Sequence, residues 1–300
     1  MLYNVGKDSF FKAHKDTPRG ETMFGSLVLV FPTPHDGGAL ILRHGGKEWT
    51  FDSGKDASGS SKPSIRYIAF FSDVEHEVTL VTSGYRVTLT YNLYFGSAQP
   101  TDAILNVGSN EISFKNALST LLQNAEFMPQ GGTLGFGLKH QYPVDITKGE
   151  RSSKLLECLK GSDAVIRRVC ADLSLDTKVK VMYSDPDDPD LIMLDLIADL
   201  SEYGEVEGAS YSLRSEPWCG VRVKSFGLPA GHKANKKPQH SYHDYDDCRE
   251  ETVWWVTELT EFTTAKTGYL AYGNQASLEY LYGNFCLIVR IGAAWRRTME

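Results

Sequence analysis

Ala39-Leu40-Ile41-Leu42-Arg43-His44-Gly45-Gly46-Lys47-Glu48-Trp49-Thr50-Phe51 decides the fold class of this chain. Two short β-rich runs flank a Gly-Gly pair, the composition that a two-residue hairpin turn requires. Upstream, Ser26-Leu27-Val28-Leu29-Val30-Phe31 is a second apolar β-rich run, stopped by Pro32 and Pro34, and Gly37-Gly38 leads back into the hairpin. Downstream, strands are expected at Ile65–Phe71 and Tyr85–Tyr94. The latter alternates Val87, Leu89 and Tyr91 with Arg86, Thr88 and Thr90, the period of two that gives a strand opposite faces. Many short strands broken by Gly and Pro predict a sandwich or jelly roll for the first hundred residues.

The rest of the chain has a different pattern. Gly96 to Asn110 is polar and reads as a linker, and residues 53–64 read as a loop. Ile112, Ala117, Leu118, Leu121, Leu122 and Ala125 then recur at helical steps, with Ser109 or Asn110 as the expected cap. A second helix is expected from Ser152 to Leu173, and strands at Thr252–Val256 and Phe285–Ile291. Asp185 to Asp190 reads as an acidic turn, and Gly231 to Asp247 as a polar loop. Residues 69–87 can be laid over 271–286 as a degenerate repeat, although few identities support the match. The expected organisation is a β core over 1–97 followed by an α+β part over 98–300, the latter open to being a degenerate second β-fold.

With 300 residues, 41 % hydrophobic and 23 % charged, the chain is long enough to bury a core without staples. A net charge of −7 supplies no basic footprint for nucleic acid, which is disfavoured as a partner. Cys158, Cys170, Cys219, Cys248 and Cys286 are odd in number and lack CxxC spacing, so neither a disulfide framework nor a structural zinc site is expected. No apolar run of membrane-spanning length and no signal peptide is visible, so an intracellular location, cytoplasmic or nuclear, is expected. Oligomeric state is not readable.

Four residues carry chemistry. His14 and Asp16 are two apart, a spacing that turns both side chains the same way on a strand. His76 follows in Glu75-His76-Glu77-Val78, and Arg86 lies beyond Thr82-Ser83-Gly84, read as a turn into the next strand. Two imidazoles and a carboxylate suit Fe(II) and leave coordination positions open. A planar guanidinium suits a dicarboxylate through paired hydrogen bonds. On this reading His76 comes from a strand across the barrel. The plainer alternative is a His14–Asp16 hydrogen bond on a strand and an ordinary salt bridge for Arg86. His35 and His44 read as surface or channel residues. His232, His240, His243, Asp244, Asp246, Asp247 and Cys248 match no standard metal spacing and read as a solvated loop.

Phe10-Phe11-Lys12-Ala13-His14-Lys15-Asp16-Thr17, Gly37-Gly38-Ala39-Leu40 and His76-Glu77-Val78 followed by Gly84-Tyr85-Arg86-Val87-Thr88-Leu89 resemble the core of Fe(II)/2-oxoglutarate-dependent dioxygenases, prolyl 4-hydroxylase-like branch. The resemblance covers roughly residues 2–95. It implies a double-stranded β-helix (jelly roll), with His14, Asp16 and His76 as iron ligands and Arg86 on the distal carboxylate of 2-oxoglutarate. It also implies a cosubstrate contact from Tyr3, although the gap from Tyr3 to His14 is longer than the family's. The implied activity is hydroxylation of an unactivated C–H bond with release of succinate and CO2, using O2 and supported by ascorbate. A peptidyl proline is the substrate the family suggests; other protein side chains, small metabolites or a nucleobase share the chemistry. The family's helix-rich segment and first strand are expected ahead of residue 14, where this chain has thirteen residues. Their support is therefore expected from a missing N-terminal segment or from the C-terminal half. A competing expectation is a non-catalytic interaction module with a vestigial metal site.

Overall fold

The computed structural model describes residues 2–4, 10–17, 19, 22–54, 64–96, 108–142, 152–185, 188–200, 205–206, 209–226, 249–260, 264–271 and 277–297. The protein is mainly β. The chain forms two compact units, Met1–Thr101 and Asp102–Glu300.

The first unit contains β1 (Leu2–Asn4), β2 (Phe11–His14), β3 (Met23–Val30), β4 (His35–Gly37), β5 (Leu40–His44), β6 (Lys47–Phe51), β7 (Arg66–Phe71), β8 (Glu75–Val78) and β9 (Val81–Tyr94). One antiparallel sheet has the order β1-β9-β3-β7, with β4 also on β9. The other has the order β2-β8-β5-β6. The β5–β6 hairpin forms as expected: Gly45 and Gly46 have φ of 56° and 73°, the left-handed pair of a type I′ turn. Val28, Val30 and Phe70 from the first sheet pack with Leu40, Leu42 and Val78 from the second. Each such side chain contributes roughly 1.5–3 kcal/mol when fully buried. The opposite face of the first sheet leaves Tyr67, Tyr85, Leu89 and Tyr91 exposed.

One expectation changes here. Thr82-Ser83-Gly84 is not a turn: it lies inside β9, where Gly84 pairs with His35. Gly84 has φ +71°, and a Cβ there would sit 2.1 Å from the Pro34 carbonyl oxygen, so the glycine bends the strand instead of ending it. The reversal is made by Thr79-Leu80, with the Thr79 N–H donating to the Ala39 carbonyl at 2.9 Å. β1 pairs with the middle of β9.

The second unit carries β10 (Gly132–Gly137), β11 (Asp176–Asp185), β12 (Asp188–Leu194), β13 (Glu205–Val206), β14 (Val221–Phe226), β15 (Glu250–Thr257), β16 (Thr264–Ala271) and β17 (Ser277–Ile291). Its helices are α1 (Ser109–Gln123), α2 (Gly161–Asp172), α3 (Ala209–Arg214) and α4 (Ala294–Arg297). Pairing runs β10-β15-β14-β12-β11-β17 and returns to β10, so six strands close into a ring. Met182, Met193, Val223, Val253, Trp255, Cys286 and Ile288 pack together on one side of these strands. Gly135 makes room for them: a Cβ there would meet the Trp255 ring at 2.6 Å. The alternate residues, Leu134, Phe136, Val181, Leu287 and Val289 among them, pack against Leu118, Leu155, Val169 and Leu213 from the helical segments.

The helix expected over 152–173 is two pieces, a 3₁₀ segment Ser152–Glu157 and α2. Gly161, at φ +50°, makes the break. Asp163, fully buried in the first turn of α2, reaches out of the helix. Its carboxylate accepts the backbone N–H groups of Lys139 (3.0 and 3.1 Å) and His140 (3.2 Å) and the Tyr142 hydroxyl (2.8 Å). At α1 the cap is Gly108, with no side-chain hydrogen bond, in place of Ser109 or Asn110. Within the stretch expected as an acidic turn, Asp185 at the end of β11 pairs with Asp188 at the start of β12. The suggested repeat is not reflected in the pairing: β7 and β9 flank β3, whereas β16 and β17 pair directly. The polar loop 231–247 and its histidines lie outside the described residues, as do 55–63 and 97–107.

Candidate metal centre

His14, Asp16 and His76 converge, with one donor atom from each within 4.8 Å of the others. His14 ends β2, His76 lies on the adjacent strand β8, and the two are cross-strand partners. This corrects the expectation of a strand across the barrel. Direct pairing puts both imidazoles on one face, with ring centroids 4.2 Å apart. The reason given for Asp16 also changes. The strand ends at His14, and Asp16 is placed by tertiary bonds. Its N–H donates to the Ser72 carbonyl at 3.1 Å. Its Oδ2 accepts the Ser26 hydroxyl at 2.5 Å.

Both histidines are set in the same tautomer. His14 Nδ1–H donates to the Lys12 carbonyl at 2.9 Å, and His76 Nδ1–H to the Val74 carbonyl at 3.1 Å. A carbonyl accepts only, so the proton sits on Nδ1 and the Nε2 lone pair is left for a cation. Carbonyl partners of this kind orient metal-ligating imidazoles and raise their basicity. His76 Nε2 stands 3.8 Å from Asp16 Oδ1, too long for a hydrogen bond. A cation bonded to both at about 2.1 Å would span such a gap. Burial holds the His76 imidazole below the usual histidine range, partly offset by the Val74 carbonyl and the Asp16 carboxylate. Burial thus favours the neutral ring, which is the ligand form. Phe70 packs at a tilt against His76, ring centroids 4.7 Å apart, and Phe11 meets His14 edge-on at 4.4 Å.

Arg86 lies on β9, in the other sheet, and is 1 % exposed. It shares its strand face with Thr88, which pairs with the core residue Val30, so it points into the space between the sheets. Gly38 fits against its stem: a Cβ on Gly38 would lie 2.7 Å from Arg86 Cδ. Tyr3 stands directly opposite Arg86 in the β1–β9 register. His35 is not a surface residue. It is buried, with Nδ1 donating to the Thr33 carbonyl (2.7 Å) and Nε2 meeting the Ser53 hydroxyl (3.2 Å), so both ring nitrogens are engaged. His44 ends β5 at the Gly45-Gly46 turn.

Ser26 and Gly38 escape the sequence reading as parts of this site. The available signal at Ser26 is a small polar residue inside an apolar strand, at a position whose neighbours in step, Val28 and Val30, face the core. No family model, no curated protein and no solved structure matches the chain. Among the described residues, no helix is long and apolar enough to cross a membrane.

Proposed function

We propose that this chain is an Fe(II)- and 2-oxoglutarate-dependent oxygenase whose first unit is a jelly-roll catalytic core. One observation carries the reading: two imidazoles with Nε2 lone pairs and one carboxylate converge at His14, Asp16 and His76. The strand order supports it. β1, β3, β4, β7 and β9 lie in one sheet and β2, β5, β6 and β8 in the other, so the chain crosses repeatedly between two sheets, as a jelly roll requires.

Borderline nitrogen and hard oxygen donors in a two-to-one ratio suit Fe(II), and three protein ligands would leave coordination positions for cosubstrate and O2. When bound, the iron supplies the oxidative decarboxylation of 2-oxoglutarate to succinate and CO2, coupled to hydroxylation of an unactivated C–H bond. The residues of the chain bind and orient. His14, Asp16 and His76 hold the metal, and their backbone and Ser26 partners fix which atoms face it. Arg86 pairs with the distal carboxylate of 2-oxoglutarate, buried where water competes least. The register position of Tyr3 opposite Arg86 suits a second contact to the same carboxylate. Phe11 and Phe70 shield the imidazoles. A peptidyl proline is the working substrate, and ascorbate supports turnover.

The test combines binding and turnover in the full-length protein. Fe(II) should bind stoichiometrically, and 2-oxoglutarate should yield succinate, slowly without a prime substrate. His14→Ala and Asp16→Ala should each abolish both. A folded full-length protein that binds no Fe(II) overturns the reading.

A further inference from the structure

We infer that Ser26 is a positioning residue for the metal centre: its hydroxyl selects which oxygen of Asp16 meets the cation. The inference rests on the metal reading above and concerns a residue outside the ligand set. Ser26 is 1 % exposed and lies on β3, which is paired on both sides. Its backbone is in register with Phe70 on β7 and with Asn92 on β9, so the hydroxyl starts from a fixed base. Asp16 has no such support. It stands beyond the end of β2, its side chain partly open to solvent, with one backbone hydrogen bond to Ser72. Among the described residues, the hydrogen bond that fixes the rotation of the Asp16 carboxylate comes from Ser26.

The 2.5 Å contact supplies what is missing. An ionised carboxylate only accepts, so the hydroxyl must be the donor, and an O–H···O⁻ bond of this length belongs to the stronger class. Committing Oδ2 to Ser26 turns Oδ1 toward His76 Nε2, 3.8 Å away. The serine also faces a desolvation penalty if its hydroxyl loses that acceptor. Without the hydroxyl, the carboxylate is free to turn, and the cation meets a ligand that must be ordered on binding. Removing a partner of a metal ligand typically weakens metal affinity about 10- to 100-fold.

Co(II) is the probe, titrated into the metal-free full-length protein and followed by its visible ligand-field absorption. Ser26→Ala should weaken Co(II) binding about 10- to 100-fold and shift the absorption envelope. It should leave the unfolding midpoint of the metal-free protein close to that of the wild type. Ser26→Thr, which keeps the hydroxyl, should retain near-wild-type affinity and spectrum. Wild-type affinity and spectrum in Ser26→Ala overturn the positioning role while leaving the metal centre standing. A loss that Ser26→Thr shares equally also overturns it. Failure of the wild type itself to bind Co(II) or Fe(II) rejects the metal reading instead, so the two failures are distinguishable.

Discussion

The first unit buries His76, Arg86, Ser26 and Thr88, whereas the strand ring of the second closes on Met182, Val253, Trp255 and Ile288. Both are β structures, yet they use their inward positions differently. A buried imidazole, guanidinium or hydroxyl costs desolvation that only a partner offsets, so the first unit's interior is set by hydrogen-bond geometry. The second unit's interior is set by volume and shape. The difference separates where chemistry can reside from where packing stability is concentrated. One unit holds groups that are useful because they are uncomfortable when buried, and the other holds groups that are stable because they are not.

The largest effect should come from breaking the polar side. His76→Ala should remove detectable metal binding and reduce succinate formation by at least about 1,000-fold, measured by metal titration and a coupled succinate assay. Breaking the apolar side should appear in stability. Leu287, fully buried on β17, is expected to cost roughly 2–5 kcal/mol when cut to alanine. Faster hydrogen exchange of the β11 and β17 amides is the readout, and unchanged protection would contradict the core assignment. Asp163→Ala tests one of the buried polar groups of the second unit. It strands the Lys139 and His140 N–H groups and the Tyr142 hydroxyl, so a loss of about 3 kcal/mol is expected, read by the same exchange experiment.

Smaller effects sharpen the comparison. Gly38→Ala places a side chain at φ +70° and against the stem of Arg86, so a cost of about 1–3 kcal/mol is expected. Under the proposed function it should also weaken 2-oxoglutarate binding severalfold, measured by equilibrium titration. The smallest effect is a pH slope. Burial raises the Asp163 pKa above its ordinary value, against the opposing pull of Tyr142, His140 and the backbone donors. A carboxyl with a raised native pKa binds protons more readily folded than unfolded. Its contribution to stability is therefore greatest at low pH and declines as pH rises from about 4 through the native value. Denaturation midpoints of Asp163→Asn should lack that increment of slope; a slope identical to the wild type would contradict it.

Much of the first unit is legible because its signals are local. Gly45-Gly46 prescribes a hairpin, and alternation along Arg86 to Tyr91 prescribes a strand. The three grouped residues His14, Asp16 and His76 are likewise readable from residue type and spacing. The reasons for their placement are not, because Asp16 is held by Ser26 and Ser72, which meet it only after the sheets have packed. The second unit is harder to read. β10 contains Gly132, Gly135 and Gly137, residues disfavoured in strands, and it forms because β15 and β17 flank it. Gly135 is required there by Trp255, a constraint from far along the chain. The break at Gly161 is hidden within a helical pattern for the same reason: Asp163 answers to Lys139 and His140, not to its own helix.

The closed ring of the second unit has a consequence for the chain during its synthesis. β10 pairs with β17 along six consecutive residues, Gly132 to Gly137, and β11 leans on β17 over nine. Neither contact can form until the ribosome has delivered β17. Until then β10 and β11 each present an unsatisfied edge to solvent or to a neighbouring nascent chain, the condition under which strands pair wrongly. Closure late in translation makes chaperone capture most valuable in that interval. Once β17 is in place, the ring leaves none of its six strands with both edges open to a foreign strand.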